Sequence, residues 1–193
     1  MKNVLPLLIF TIFSLNTTLA QETSIRFGAK AGINLANLCF DDPDITDNKV
    51  RTCFHAGVLA EIPLLPNLAI QPEVLYSEQG AKYEGDAVTK LHYLNVPILA
   101  KYYFFEGFNV EAGPQVGFNL TAKEEFGGYE IDMKDEVSDV DVGLGVGISY
   151  QLKMGIFFQG RCTFGFSNIN DGIDKEECKY HHDIGQISVG LKF

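Results

Sequence analysis

The sequence predicts an all-β fold, an eight-stranded antiparallel up-and-down transmembrane β-barrel with short periplasmic turns and long extracellular loops. Two observations lead to this fold. Eight segments alternate apolar and polar side chains with the period of two that is typical of a strand. The connections between these segments are short and long in strict alternation, which is the pattern of a membrane barrel with tight turns on its periplasmic side.

Most of the eight segments have at least the roughly nine residues that a tilted spanning strand requires. The predicted strands are Arg26–Leu35, Phe54–Ile62, Leu68–Gln79, Leu91–Phe104, Phe108–Ala122, Val140–Leu152, Gly155–Phe166 and Ile184–Phe193. The tight connections cover 63–67, 105–107 and 153–154, and the long ones cover 36–53, 80–90, 123–139 and 167–183. Both ends of the barrel are therefore expected on the periplasmic side.

Residues 1–20 are predicted to be a signal peptide, with the barrel domain covering 21–193. Lys2 precedes the apolar run Val4–Leu15, and Thr18-Leu19-Ala20 offers the small residues that a signal peptidase needs. About twelve apolar residues are too few for a membrane-spanning helix. Without Lys2 the net charge is −11, and this acidity argues against a nucleic-acid partner because phosphates would be repelled.

The polar face of the strands is predicted to line the lumen. A soluble ligand-binding barrel alternates too, but its apolar face lies inside. Here the polar face is rich in glycine, and a narrow lumen needs glycine opposite long charged side chains. These glycines are Gly28, Gly32, Gly57, Gly113, Gly117, Gly143, Gly145, Gly147, Gly165 and Gly190. The opposite face of the sixth strand is apolar from Val140 to Leu152, which suits lipid.

The inward face is also predicted to carry an ion-pair network across the lumen, because charges removed from water must be paired. Its members are Arg26, Lys30, Lys101, Arg161 and Lys192 with Glu61, Glu73, Glu111 and Asp141, so the charges nearly cancel. The network is interpreted either as a structural plug or as a proton or ion path. Side chains fill the bore of an eight-stranded barrel, which favours the plug and argues against a general diffusion porin.

The long loops carry −10 of the net charge of −11. Three interpretations stay open: plain solvated loops, divalent cations that bridge loop carboxylates to lipopolysaccharide, and recognition of a basic partner. The expected partners are outer-membrane lipids and lipopolysaccharide.

Four cysteines in an exported chain predict a disulfide. Cys39 and Cys53 bracket the first long loop and are the favoured pair, although Cys178 pairing with either stays open. Cys162 falls on the apolar face. Cys178, His181, His182 and Asp183 form the one cluster that resembles a metal site, but neighbouring histidines in a loop seldom converge, so no metal and no cofactor is expected.

A lipid-directed hydrolase would need a nucleophile with a histidine near the rim. His55 and His92 are predicted to face inward near the outer edge, with Ser77 close by. The sequence has no Gly-x-Ser-x-Gly elbow, so satisfied polar residues are the favoured explanation and no enzyme is expected.

Four segments resemble the PorT-like, porin-type outer-membrane β-barrel family of Gram-negative bacteria: Phe27–Leu35, Gln71–Tyr76, Tyr93–Tyr103 and Glu111–Gly117. The resemblance implies an outer-membrane barrel of eight or so strands, located in the cell outer membrane, and does not imply pore activity. Gln186, Ser188, Leu191 and Phe193 are similar to the signal read by the outer-membrane assembly machinery, with Ser188 where that signal usually has glycine.

The expected function is a structural or surface-interaction role for a barrel whose lumen is plugged and ion-paired. Two alternatives remain: a narrow or gated channel for small solutes, and a lipid-directed hydrolase of the outer membrane.

Overall fold

The computed structural model describes residues 24–40, 49–82, 88–127, 129–134, 137–167 and 180–193. Eight long strands pair antiparallel in chain order and close into a barrel, which confirms the predicted fold. They are β1 (Arg26–Phe40), β2 (Lys49–Leu65), β3 (Leu68–Gln79), β5 (Val88–Phe105), β6 (Phe108–Phe126), β8 (Val140–Gln151), β9 (Ile156–Gly165) and β10 (Tyr180–Lys192). Two short strands, β4 (Ala81–Lys82) and β7 (Tyr129–Asp132), extend the outer rim.

The barrel closes between its first and last strands. β1 and β10 pair from Gly28 opposite Lys192 to Phe40 opposite Tyr180. Phe27 and Phe193 continue the ladder by exchanging two main-chain hydrogen bonds of 3.2 and 2.8 Å. Closure leaves no unpaired strand edge toward lipid, where an unsatisfied main-chain group would cost several kcal/mol. Among the described residues, no helix has the length and hydropathy needed to cross a bilayer.

Several strands run farther outward than their alternation predicted. β1 continues to Phe40, β2 begins at Lys49, and β5 and β6 pair as far as Val88 opposite Glu125. Apolar and polar residues alternate where one face of a strand contacts lipid, whereas main-chain pairing requires only that both neighbouring strands are extended. The hairpins therefore project beyond the apolar band. Residues 1–20, the predicted signal peptide, lie outside the described residues.

Two of the periplasmic turns depend on glycine. Gly107 and Gly155 have φ values of +81° and +91°, a region that residues with a Cβ rarely adopt. These glycines let β5 turn into β6 and β8 turn into β9 within a few residues, as the predicted tight connections require.

A bulge in β6 changes which residues face the lumen near the outer end. Tyr93 lies opposite Asn119, but His92 lies opposite Thr121, so Leu120 is an extra residue. Below the bulge the odd-numbered residues of β6 point inward. Above it Ala122 is buried and Thr121 is exposed. The bulge thus shifts the inward face of β6 from odd-numbered to even-numbered residues, whereas β5 keeps its own inward face through Leu91 and Tyr93.

The outward faces of the eight strands form an apolar band with aromatic residues at both of its edges. At the outer edge the ring centroid of Tyr76 lies 5.7 Å from that of Phe54 and 5.8 Å from that of His92. At the periplasmic edge Tyr102 packs edge-on against Phe104, both centroids lying 5.0 Å apart. Ten residues of β5 separate His92 from Tyr102, which spans about 25 Å at the usual tilt and matches the apolar height of an outer-membrane barrel.

Gly190→Ala is expected to destabilise the barrel by about 1–3 kcal/mol, because its new methyl group would overpack the lumen. A Cβ at Gly190 would lie 2.4 Å from the Phe157 ring, whereas a Cβ at Gly160 meets no atom within 4 Å. Urea unfolding in lipid vesicles, followed by circular dichroism, should show a lower midpoint for Gly190→Ala only. Equal midpoints for this variant and the control Gly160→Ala would contradict the predicted packing.

Candidate functional site

Four buried charges form the centre of the lumen, and we call Lys30, Glu73, Glu111 and Arg161 the central quartet. Arg161 binds both carboxylate oxygens of Glu73 at 2.8 and 3.0 Å and donates from Nε to Glu111 at 2.9 Å. Lys30 Nζ lies 2.8 Å from Glu73. All four side chains are fully inaccessible to solvent. The two-pronged Arg161–Glu73 contact fixes direction as well as distance between β9 and β3.

A second set of charges lies toward the periplasmic end, and we call Arg26, Glu61, Lys101 and Lys192 the mouth quartet. Glu61 accepts hydrogen bonds from Arg26, from Lys192 and, at 2.8 Å, from the Tyr103 hydroxyl. Lys101 Nζ lies 3.8 Å from Glu61 and 3.5 Å from Glu111. Lys101 therefore joins the two quartets into one continuous chain of ion pairs.

Three glutamines provide additional hydrogen-bond acceptors for the lysines of the two quartets. Gln159, Gln71 and Gln151 present side-chain carbonyls to Lys30, Lys101 and Lys192 at 2.7, 3.2 and 3.3 Å. Each lysine thus has a neutral acceptor beside its carboxylate partners and needs no further carboxylate. These residues were not predicted from the sequence, because a neutral side chain gives no charge signal. Their inward parity on β3, β8 and β9 is the one feature that could have indicated them.

Phe157 is an apolar member of the lumen at the level of the mouth quartet. Its side chain is fully buried, and its ring centroid lies 4.9 Å from Lys192 Nζ and 6.0 Å from Lys101 Nζ. The ring offers both ammonium groups a weak electrostatic attraction while it occupies the bore.

Asp141 is the one predicted network residue that the structure does not bring into the quartets. Asp141 faces inward opposite Gly117. It lies six residues before Gly147 on β8, and Gly147 is the residue opposite Glu111. That separation is about 20 Å along β8. The eight connected residues are five cations and three carboxylates, so their charges sum to +2. The near-cancellation was predicted for nine inward residues, and the connected group differs from that set by the carboxylate of Asp141.

A row of neutral polar residues lies outward of the central quartet. His55 has Asn34 Oδ1 and Ser188 Oγ at 2.8 Å from its two ring nitrogens. The Asn34 amide donates to Ser77 Oγ at 2.9 Å and to the Glu78 carbonyl at 2.7 Å, so its oxygen accepts from His55 Nδ1. This tautomer leaves Nε2 to accept from Ser188. His55, Asn34 and Ser188 are between 0 and 3% exposed.

His92 does not face inward, so that prediction was wrong. Its neighbours Leu91 and Tyr93 point into the lumen, which places His92 on the outside of β5. There it accepts or donates a 2.6 Å hydrogen bond with Tyr76 and stacks on that ring. His92 thus belongs to the outer aromatic edge of the apolar band.

The outer mouth contains an apolar cluster. Leu91, Tyr93 and Ala122 are buried together, and Met133 and Val137 from the third long connection pack against them. Met133 N donates to the Ala122 carbonyl at 2.9 Å, which attaches that connection to β6. The cluster forms an apolar contact on the β5–β6 side of the outer mouth.

Charged residues of the second and third long connections pair with one another outside the apolar band. Lys123 Nζ lies 2.9 Å from Glu130, and Lys90 binds Glu125 and lies 3.9 Å from Glu130. The hydrogen bond from Lys123 lowers the pKa of the Glu130 carboxyl. These exposed pairs organise the β6–β7 hairpin while leaving it acidic.

The predicted Cys39–Cys53 disulfide is not formed, because Cys53 is a buried free thiol. Cys53 lies opposite Asn34 on β1, and Asn34 is five residues from Cys39. The Cα atoms of Cys39 and Cys53 are therefore about 16 Å apart, too far for a disulfide. Cys162 is free and exposed on the outward face, where its parity placed it. Cys178 lies outside the described residues, and among the described residues no group of three His, Cys, Asp or Glu side chains could hold a metal ion.

The residues of the predicted assembly signal divide between the two faces of β10. Gln186 donates to Asn34 at 2.9 Å and Ser188 binds His55, so both are part of the lumen. Leu191 and Phe193 point outward and are 47 and 77% exposed.

A closed antiparallel barrel with an apolar outer band and a polar interior defines an integral outer-membrane protein. Residues 19–171 match the family described as "Outer membrane protein beta-barrel domain", and the chain belongs to that family. Among curated proteins, none matches the sequence.

Solved structures show the same fold at low sequence identity. Neisserial surface protein A is similar with a TM-score of 0.55 and 13% identity, over 90% of this chain and 100% of that one. Ail, the attachment invasion locus protein of Yersinia pestis, gives a TM-score of 0.55 and 11% identity, over 87% of this chain and 98% of that one. Ail in complex with the heparin analogue sucrose octasulfate is similar too, with a TM-score of 0.54 and 10% identity, over 88% of this chain and 99% of that one.

Arg161→Gln is expected to destabilise the barrel by about 3–5 kcal/mol, because it leaves two buried carboxylates without their shared guanidinium. Urea unfolding of the variant in lipid vesicles measures this loss. Lys153→Gln is the matched control: its ion pair with Glu106 is exposed and should contribute little. If the two variants unfolded at the same urea concentration, the central quartet would not hold the lumen together.

Proposed function

We propose that this protein is an outer-membrane barrel whose lumen is plugged by ion pairs and whose role is structural or interactive at the cell surface. The observation that carries the proposal is the burial of the network: seven of its eight members are between 0 and 4% exposed. The resemblance of the sequence to PorT-like barrels is compatible with this role, since that family is not defined by a pore.

The ion pairs weigh against the channel alternative. A solute crossing the lumen would have to separate Arg161 from Glu73 and Glu111, and breaking one buried pair costs about 3–5 kcal/mol. Phe157 occupies the bore beside the mouth quartet, and the apolar cluster of Leu91, Tyr93 and Ala122 narrows the β5–β6 side of the outer end. Passage would therefore require rearrangement at three levels of the barrel.

The outer surface favours basic partners or divalent cations. The third long connection carries Glu124, Glu125, Glu130 and Asp132 on the described β6–β7 hairpin, against Lys123. Such a surface would repel a polyanion like the heparin analogue that Ail binds. We propose outer-membrane lipids and lipopolysaccharide as its surroundings, with divalent cations bridging loop carboxylates to lipid phosphates. The assembly machinery is the proposed partner of Gln186, Ser188, Leu191 and Phe193.

The hydrolase alternative has one observation in its favour. Ser188, His55 and Asn34 are hydrogen-bonded in the order of a nucleophile, a base and an orienting group. Their burial argues against it, because a substrate bond must approach the serine oxygen. We therefore interpret this row as a satisfied polar layer of the plug.

Planar-bilayer recording tests the plug. The wild-type protein should give no steady conductance steps, because its lumen side chains are paired and buried. Arg161→Gly removes the largest cation of the central quartet, so any ion leakage should rise in that variant. Reproducible unit steps in the wild-type protein would contradict the plug and support the channel.

Binding of decalysine to the protein in lipid nanodiscs tests the acidic surface. Replacing Glu124, Glu125 and Glu130 together by Gln should weaken binding at least five-fold, and salt should weaken wild-type binding because exposed charges are screened. Glu106→Gln on the periplasmic turn is the control and should bind as the wild type does. Equal affinity in the triple variant would exclude this hairpin as the binding surface.

A further inference from the structure

The periplasmic mouth of the barrel contains an open cavity of about 560 Å³. The three tight turns surround it. Glu61, Tyr103 and Gln151 line its polar part, whereas Pro63, Leu65 and Phe105 line its apolar part. The volume lies within the range of about 300–1,000 Å³ that is typical of small-molecule sites, and mixed lining of this kind suits a ligand with one polar and one apolar end.

The positive charge of the lumen is concentrated beside this cavity. The central quartet has two cations and two carboxylates and is balanced. The mouth quartet has three cations around the single carboxylate of Glu61, and one of them, Lys101, is shared with Glu111, so the excess of +2 lies toward the periplasmic end. Excess charge removed from water is costly unless an opposite charge approaches it.

The mouth quartet reaches the cavity through Arg26. Its side chain is 38% exposed and lines the cavity, whereas those of Lys101 and Lys192 are 0 and 1% exposed. Gln71 and Gln151 offer carbonyl oxygens to the two lysines, but these contacts do not involve Arg26. A guanidinium has five N–H donors in a planar fork that fits carboxylate and phosphate oxygens. Arg26 is thus the accessible donor of a region with surplus positive charge.

The other charged side chains that line the cavity in the described part of the chain do not cancel this surplus. Lys153 and Glu106 also line the cavity, and they form an exposed ion pair of 3.3 Å with each other. Their sum is zero, so the cavity keeps the field of the mouth quartet.

We infer that the periplasmic mouth is a binding site for a small organic anion, a carboxylate or phosphate carried on an apolar body. Arg26 contacts the anionic group, while Lys101 and Lys192 supply charge from behind Glu61. The apolar body packs between Leu65 and Phe105. A carboxylate offsets half of the excess charge, and a phosphate monoester in its dianionic form offsets all of it. This site is separate from the acidic outer surface, but it shares the mouth quartet with the plug and so rests in part on the proposed function.

Three probes separate the contributions of charge and apolar packing: hydrocinnamate, phenyl phosphate and inorganic phosphate. The full-length barrel in detergent micelles, with ¹⁵N-labelled arginine, is titrated with each probe while the Arg26 side-chain signals are followed by NMR. Saturable shifts are expected with both phenyl-bearing probes, and phenyl phosphate should bind more tightly than hydrocinnamate and inorganic phosphate. Shifts with inorganic phosphate as strong as with phenyl phosphate would overturn the apolar half of the site.

Affinity for phenyl phosphate, measured by calorimetry, should fall at least ten-fold in Arg26→Gln. The variant should still fold, because Glu61 keeps its contacts with Lys192 and Tyr103. Lys82→Gln removes one exposed charge at the opposite end of the barrel and should bind as the wild type does.

Asn67→Asp gives a second, independent test. Asn67 lines the cavity, and the substitution adds a negative charge there while leaving every lumen ion pair in place. Binding of phenyl phosphate should weaken at least five-fold. The proposal would be overturned by the absence of saturable binding in the wild type, or by unchanged affinity in both Arg26→Gln and Asn67→Asp.

Discussion

The contact of Arg161 with Glu73 and Glu111 is the constraint on which the rest of the lumen depends. One guanidinium on β9 satisfies a carboxylate from β3, on the opposite side of the barrel, and one from β6, two strands away. Two carboxylates in a dry interior would repel each other without it. Lys30 shares a Glu73 oxygen with Arg161. Lys101 contacts the second oxygen of Glu111, and three glutamines hydrogen-bond the lysines of the two quartets. Because charges of this kind tolerate little displacement, the wall strands have little freedom to shift relative to one another.

Strand parity accounts for most of what could be predicted. Because inward and outward residues alternate, the sequence places Arg26, Lys30, Glu61 and Glu73 on one face without knowledge of their partners. Closure by β1 and β10 follows from the even number of strands and the alternating loop lengths. The strand boundaries at the tight turns could be predicted equally well, since Gly107 and Gly155 end the alternation there.

The errors have a common physical source, which is height along the barrel axis. Parity places Asp141 on the inward face, but pairing register decides that it lies about 20 Å from Glu111. Register also separates Cys39 from Cys53, although both border the same loop. A single sequence carries little information on register, because the alternation looks the same at every height. Gln71, Gln151 and Gln159 were missed for another reason: hydrogen bonds of neutral side chains leave no pattern in the chain.

The extra residue Leu120 sets the orientation of everything that β6 carries beyond the membrane. If β6 paired regularly through Leu120 instead of bulging there, the side that holds Lys123 and Glu125 would turn toward the barrel axis, and Ala122 would turn toward lipid headgroups. The apolar cluster at the outer mouth would lose Ala122, and charged groups would meet Leu91 and Tyr93 instead. The bulge thus shifts the phase of the inward–outward alternation of β6. Below it the strand lies between lipid and lumen, and above it the strand faces the aqueous cell surface. Homologous barrels could exchange outer hairpins freely only if they conserve this phase.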